Sequence, residues 1–221
     1  MKLSILLPIK NFNIDLLDRC INSILNQSYS NFEIILKCDC SDIEFKLLKN
    51  NFNDERIIYL NSSDNSVTEA GNQALSLSSG DIITLFAHDD YYQPNAFDVL
   101  IKNIDESKWY FGSINYYSND VLCDGGYKDN PTIDGMMSKN LIPQPACFWK
   151  REVYDEIGDF DETFNLCWDY DYWIRIMKKY SPKYIDYKFS NYYLNPNSIS
   201  IKYSELMNQE KDMILKKHFT L

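Results

Sequence analysis

Four short apolar runs, each followed by a stretch with helical spacing, occupy the first hundred residues of this 221-residue chain. The runs are Leu3 to Ile9, Phe32 to Leu36, Arg56 to Leu60 and Ile82 to Ala87, and their short, mostly continuous apolar pattern reads as buried strand. Between them Leu17, Cys20, Ile21, Ile24 and Leu25 share one helical face, with Asn13 or Asp15 before them as cap. Phe45, Leu47 and Leu48 mark a second helix, Thr68 to Ser78 a third, and Pro94 opens a fourth. Strand–helix units in tandem predict an α/β fold, a mostly parallel central sheet with right-handed crossovers and helices on both faces. Ligands of such sheets bind beyond the carboxyl ends of the strands. That rule selects three loops, Pro8 to Asn11, Cys38 to Asp42 and His88 to Tyr92.

The second half changes character. Aromatic strands (Trp109 to Tyr117, Ala146 to Lys150) flank a loop-rich stretch from about Asp120 to Pro145, and helices follow from about Asp169 to Tyr180 and from about Tyr203. There is no internal repeat and no linker-like composition, so one domain over 1–221 with a single shared sheet is expected.

Composition removes several classes. Seven glycines, roughly half of average usage, leave no G-x-G-x-x-G and no P-loop pattern; the one adjacent pair is Gly125-Gly126. With 22 Lys+Arg against 32 Asp+Glu the net charge is −10, and no basic run offers a footprint for nucleic acid. An anionic ligand is then held by local devices such as a metal ion or a helix N-terminus. Met1-Lys2 and LSILLPI resemble a signal peptide, but the apolar run meets Pro8, Lys10 and Asn11 without a cleavage site, and it reads as the first strand. No stretch approaches the roughly 20 apolar residues of a membrane span. Six scattered cysteines, with Cys38-x-Cys40 at the wrong spacing for a zinc pair, read as free thiols in a reducing cytoplasm.

Asp89 and Asp90 lie where a buried strand breaks into a loop. Two adjacent acids there suit a hard divalent cation shared with a diphosphate; they equally suit a solvated turn capping the next helix. His88 beside them is a metal ligand or merely structural. Asp39 ends the second strand in CDCSD, as an acceptor for a base or ribose or as an Asx turn. Asp169 and Asp171 open an amphipathic helix, where an acid is kept ionised by the helix dipole and serves as a base or simply as a cap.

The fragments SILLPIKN, SILNQSYSNFEIIL with CDCSD, EAGNQALSLSSGDIITLFAHDDYYQP and QPACFWKREVYDEIGDFDETFNLCWDYDYWIRI resemble, in order and spacing, glycosyltransferase family 2, inverting nucleotide-sugar enzymes of GT-A fold. The resemblance spans about Met1 to Met177. It implies a nucleotide-sugar-binding half over 1–105, an acceptor and catalytic half over 106–202 and a C-terminal helix over 203–221. It implies that Pro8, Ile9, Asn11 and Asp39 border the base and ribose, and that Glu69 and Asn72 line the nucleotide pocket with His88 and Asp89. Asp89 and Asp90 match the metal motif, for Mn2+ or Mg2+ on a UDP-linked donor, and Asp169 matches the catalytic base. Gln144, Pro145, Trp149 and Trp168 match the acceptor side. Departures fall at Lys10, Cys38, Cys40, Ala87 and Trp168, where the family often has other residues.

The activity so implied is single-displacement transfer of a sugar to a saccharide or lipid-linked acceptor in bacterial surface polysaccharide or glycolipid synthesis. The enzyme would be cytoplasmic, without an integral membrane segment and at most transiently peripheral to the membrane. A sugar nucleotidyltransferase needs a glycine-rich basic loop after the first strand, which PIKNFN lacks. The alternative is a catalytically degenerate copy acting as a carbohydrate-binding or scaffold module, with seventeen tyrosines and four tryptophans as stacking surface.

Overall fold

The computed structural model describes residues 1–118, 121–123, 131–194 and 202–219. The Gly125-Gly126 pair and part of the loop-rich stretch lie outside them. Strands β1 (Leu3–Ile9), β2 (Phe32–Cys38), β3 (Ile57–Asn61) and β4 (Ile82–Leu85) alternate with helices α1 (Ile14–Leu25), α2 (Asp42–Asn51) and α3 (Val67–Leu77). Then come β5 (Tyr91–Tyr92), α4 (Ala96–Asn103), β6 (Trp109–Ser118), β7 (Val121–Cys123) and α5 (Ile133–Met136). After a short turn at Gln144–Ala146 follow β8 (Cys147–Lys150), α6 (Arg151–Ile157), α7 (Trp168–Met177), β9 (Lys183–Leu194) and α8 (Ser204–His218).

One sheet carries all of these strands, in the order β3-β2-β1-β4-β8-β6-β9-β5, with β7 paired to β6. β3, β2, β1 and β4 are mutually parallel, as the tandem units require. β8 then enters antiparallel between β4 and β6, placing Trp149 opposite Ile83 on one side and Trp109 on the other. The sheet is therefore mixed, and the second half of the chain extends the first.

Both faces of the sheet are covered. Along β1, Leu3, Ile5, Leu7 and Ile9 join one apolar cluster while Leu6 joins the other, the period of two expected of a strand sandwiched between layers. Two charges are buried in β2 and both are paired. Glu33 accepts from the Ser4 hydroxyl and the Ser79 amide, each at 2.6 Å, and Lys37 is paired with Asp64. Where β6 runs beside β9 the register shifts around Gly112, and a Cβ there would stand 2.5 Å from the Phe189 ring and 2.6 Å from the Tyr187 carbonyl.

Several sequence expectations shift. The first helix is capped by Asn13, whose side chain accepts from the Asp15 and Leu16 amides. The fourth strand ends at Leu85, two residues early, because the chain leaves the ladder to turn at Ala87–Asp90. The fourth helix begins at Ala96, since Asn95 takes a left-handed φ of 62° behind Pro94. Leu47 is exposed, so α2 buries only Leu48. Cys38 and Cys40 are joined by a disulfide with a Cα–Cα distance of 5.5 Å, correcting the expectation of six free thiols. Those Cα atoms are closer than the roughly 6.6 Å that two residues of strand span, so the chain bends as it leaves β2 and brings the two sulfurs together. Among the described residues no helix is long and apolar enough to cross a membrane.

Candidate active site

A cavity of about 580 Å³ opens between β6, the segment Asn140–Pro145, the turn into α7 and the inner side of α8. Asp169 lies in its wall, in the first turn of α7. Burial raises the Asp169 carboxyl to about 6, against the opposing effect of the Tyr170 amide and the Asn140 side chain. Asn140 Nδ2 donates to Asp169 Oδ2 at 2.8 Å. A carboxylate so placed is ionised at neutral pH yet basic enough to accept a proton from a hydroxyl.

Gln144, Pro145 and Trp168 line the same cavity. Gln144 Nε2 donates to the Leu85 carbonyl, so the cavity wall is tied to the end of β4. Trp168 is packed on Phe160, ring centroids 4.8 Å apart. Trp149 does not belong with them: it is 1% exposed, with its ring against Phe160, Tyr172 and Trp173 in the core. Its side chain is packed in the core cluster beneath α6 and α7 and is not part of the cavity lining.

The acidic turn follows β4. Asp89 is half-buried, and its main-chain carbonyl accepts from Arg19 Nη2 at 2.8 Å. Asp90 points inward and is 1% exposed. Burial and then the Asp89 charge push it well above the carboxylate range, offset only in part by the Tyr193 main chain and Arg19. Burial lowers His88, which therefore stays neutral at pH 7. Among the described residues no three His, Cys, Asp or Glu side chains gather to hold a metal ion. The donors fit a hard cation only as one carboxylate, Asp89, completing its shell with oxygens of a bound ligand and water. Asp90, expected beside it as a ligand, is turned into the protein instead.

At the ends of β1 and β2, Pro8 is half-buried and Asn11 is exposed with a left-handed φ of 51°. Ile9 gives only its main chain, accepting from the Asp39 amide at 3.2 Å, because its side chain is in the core. Asp39 is paired with Lys10 at 2.6 Å, and that contact lowers the Asp39 carboxyl and raises the lysine. Lys10 also donates to the Asp64 carbonyl at 3.1 Å. Glu69 accepts from the Asn65 amide at 2.8 Å, which holds it below the usual range. Asn72, expected in the nucleotide pocket, has its amide engaged elsewhere: Oδ1 accepts from the Phe160 amide at 2.9 Å and Nδ2 donates to the Phe160 carbonyl at 3.0 Å. It pins the loop that leads to α7.

Asn140 and Lys211 were not selected from the sequence, although both line the cavity. Asn140 sits in the loop-rich stretch, where no period marks an inward residue, and Lys211 sits on a helix of mixed charge whose docking only the tertiary structure supplies.

The profile of the family described as Glycosyl transferase family 2 matches residues 4–158, more than two thirds of the chain. The chain belongs to glycosyl transferase family 2. Similar proteins include WcaA of Escherichia coli, named as a putative colanic acid biosynthesis glycosyl transferase, which is 29% identical over 178 residues, 73% of this chain and 61% of that protein. Another is the E. coli UDP-Glc:alpha-D-GlcNAc-diphosphoundecaprenol beta-1,3-glucosyltransferase WfaP, 28% identical over 208 residues, 90% of this chain and 81% of WfaP. The chain thus spans about three fifths of WcaA's length. Among solved structures, Staphylococcus aureus TarS 1–349 in complex with UDP-GlcNAc matches with a TM-score of 0.75 at 16% identity, over 99% of this chain and 71% of that one. At that identity the likeness is one of fold, and it bears out the GT-A architecture expected of a family 2 member.

Proposed function

We propose that this family 2 chain transfers a sugar from a UDP-linked donor to a hydroxyl of a saccharide or lipid-linked acceptor, with inversion at the anomeric carbon. The observation that carries the reading is Asp169, a single desolvated carboxylate with its acidity tuned to about 6, in the wall of a cavity large enough for a sugar. The acceptor oxygen attacks the anomeric carbon, its proton passes to Asp169, and the bond from that carbon to the diphosphate oxygen breaks. Asn140 holds the Asp169 carboxylate in one orientation throughout. Gln144, Pro145 and Trp168 border the acceptor, and the ends of β1 and β2, with Asp39 and Glu69, border the nucleotide.

Asp89 would hold a divalent cation, Mn2+ or Mg2+, together with the donor's diphosphate, and such a cation neutralises the charge of the leaving group. This chain's net charge of −10 leaves an anionic donor little other compensation. The printed names of WcaA and WfaP support surface polysaccharide synthesis, with a lipid-diphosphate-linked sugar as one acceptor class. A site on the inner face of the cytoplasmic membrane, reached only transiently, is consistent with both.

The test is release of UDP from a panel of UDP-sugars with added acceptor. Asp169→Asn should keep donor affinity by calorimetry and lose transfer by on the order of 10² or more. Transfer at the parent rate in that variant rejects Asp169 as base.

A further inference from the structure

Helix α8 is fastened to α7 on both sides of Asp169. Ahead of it, Glu210 of α8 is buried, and its carboxylate accepts from three successive main-chain amides: Asn165 at 3.0 Å, Leu166 at 2.9 Å and Cys167 at 2.9 Å. These amides lead directly into α7, whose own cap residue, Cys167, makes no side-chain capping bond. Three aligned N–H groups at a helix entrance form an anion site, and here an acid from a distant helix fills it. Behind Asp169, Asp171 is fully buried and held by Lys217 and His218 of α8, each at 2.7 Å, as well as by Arg175. Lys211, next to Glu210, lines the Asp169 cavity and donates to the Ser138 carbonyl at 2.7 Å, close in sequence to Asn140.

We propose that Glu210 is a positioning residue for the transfer reaction: by tying Asn165, Leu166 and Cys167 to α8 it fixes the entrance of α7, and with it the place and desolvation of the Asp169 carboxylate. This rests on the reading of Asp169 as the base. Loss of the anchor frees three amides to water, loosens the turn that carries the carboxylate and hydrates it. The charged and ionisable groups around Asp169 are Lys211 in the cavity lining, Glu210 itself beside Cys167, and the Cys147 and Cys167 thiols, both of which burial keeps neutral; Glu210→Asp keeps the Glu210 charge, so a shift in that variant reads hydration.

The experiment compares the full chain with Glu210→Gln, Glu210→Asp and Asp169→Asn, measuring kcat and KM for donor over pH 5 to 9 and donor affinity by calorimetry. Glu210→Gln should lower kcat by on the order of 10-fold or more, since small displacements of a reacting group are expensive. Donor KM and affinity should hold, and the acid limb of kcat should move to lower pH by about one unit as Asp169 becomes hydrated. Glu210→Asp, which keeps the charge and loses reach, should shift both in the same direction by less. A purely structural anchor would lower the melting temperature and leave kcat and its pH profile unmoved; that result overturns the proposal. Should Glu210→Gln fail to fold, a parental kcat and pH profile in Glu210→Asp overturns it equally. If Asp169→Asn itself turns over normally, the reading of the base has failed instead, and the two failures are told apart.

Discussion

Asn140 donates a 2.8 Å hydrogen bond to Asp169 across the cavity wall, joining a loop residue to the first turn of α7. The bond favours the ionised carboxylate, whereas burial favours the protonated one, and burial wins by enough to leave the group at about 6. Asn140→Leu removes the opposing contribution and keeps the burial. The carboxyl should then rise further, and activity that needs the ionised form should be lost at a higher pH. A hydrogen bond to a charged group contributes about 1.5–3 kcal/mol, so the acid limb of kcat should move up by roughly one to two pH units. Activity at pH 8 should fall by no more than about twofold, and activity at pH 6 by roughly 5- to 50-fold; a pH–rate profile of the variant checks it.

Asp171 should behave in the opposite manner. Burial acts to raise it, but the bonds from His218 and Lys217 and the Arg175 charge leave it below the ordinary carboxylate value. Its contribution to stability is therefore fully present above pH 4 and is lost as pH falls through the depressed value. Breaking such a buried cluster by removing one partner costs about 3–5 kcal/mol. Asp171→Asn should lose stability on that scale in urea denaturation at pH 7, with donor affinity unchanged.

The adjacent acids of the turn after β4 should separate cleanly. Chelator and Asp89→Asn should each abolish sugar transfer while the circular dichroism spectrum stays that of the parent; full activity in excess chelator would reject the metal assignment. Asp90→Asn should leave turnover nearly intact. Because the Asp90 carboxyl is raised, the folded protein binds that proton more tightly than the unfolded chain, and stability declines as pH rises from about 4. The asparagine variant escapes this penalty. It should be more stable than the parent at pH 7.5, with the difference closing at pH 4, in parallel urea titrations.

Gly112→Ala tests the β6–β9 seam. The added methyl would meet the Phe189 ring at 2.5 Å and the Tyr187 carbonyl at 2.6 Å, and overpacking of this kind costs about 1–3 kcal/mol. The melting temperature should fall accordingly, and a variant as stable as the parent would mean that β9 slides freely there.

The parallel half of the fold was legible because each of its strands announces itself by a short apolar run and each helix by a spaced apolar face. What escaped is what no local period encodes. β8 inserts antiparallel next to β4, and nothing within ACFWK distinguishes that partner from any other. The same blindness misplaced Trp149, an aromatic beside cavity residues in sequence but packed in the core, and hid the hydrogen bond by which Asn72 holds a loop 88 residues away. The place of Asp169 at a helix start was legible, and the structure puts it in the cavity wall. Its tuned acidity was not legible, since burial and Asn140 come from separate segments.

The insertion of β8 also bears on how the chain is made. β1 to β4 are complete once Leu85 has been synthesised, but β4, with all four residues buried in the finished protein, waits for a partner that ends at Lys150. Through some sixty residues of elongation its outer edge presents unpaired main-chain groups on a mostly apolar strand, the kind of template on which nascent chains aggregate. The long sequence separation of this pairing also slows its closure. A chaperone holding the nascent chain between those two points would raise the yield of folded protein more than one acting after release.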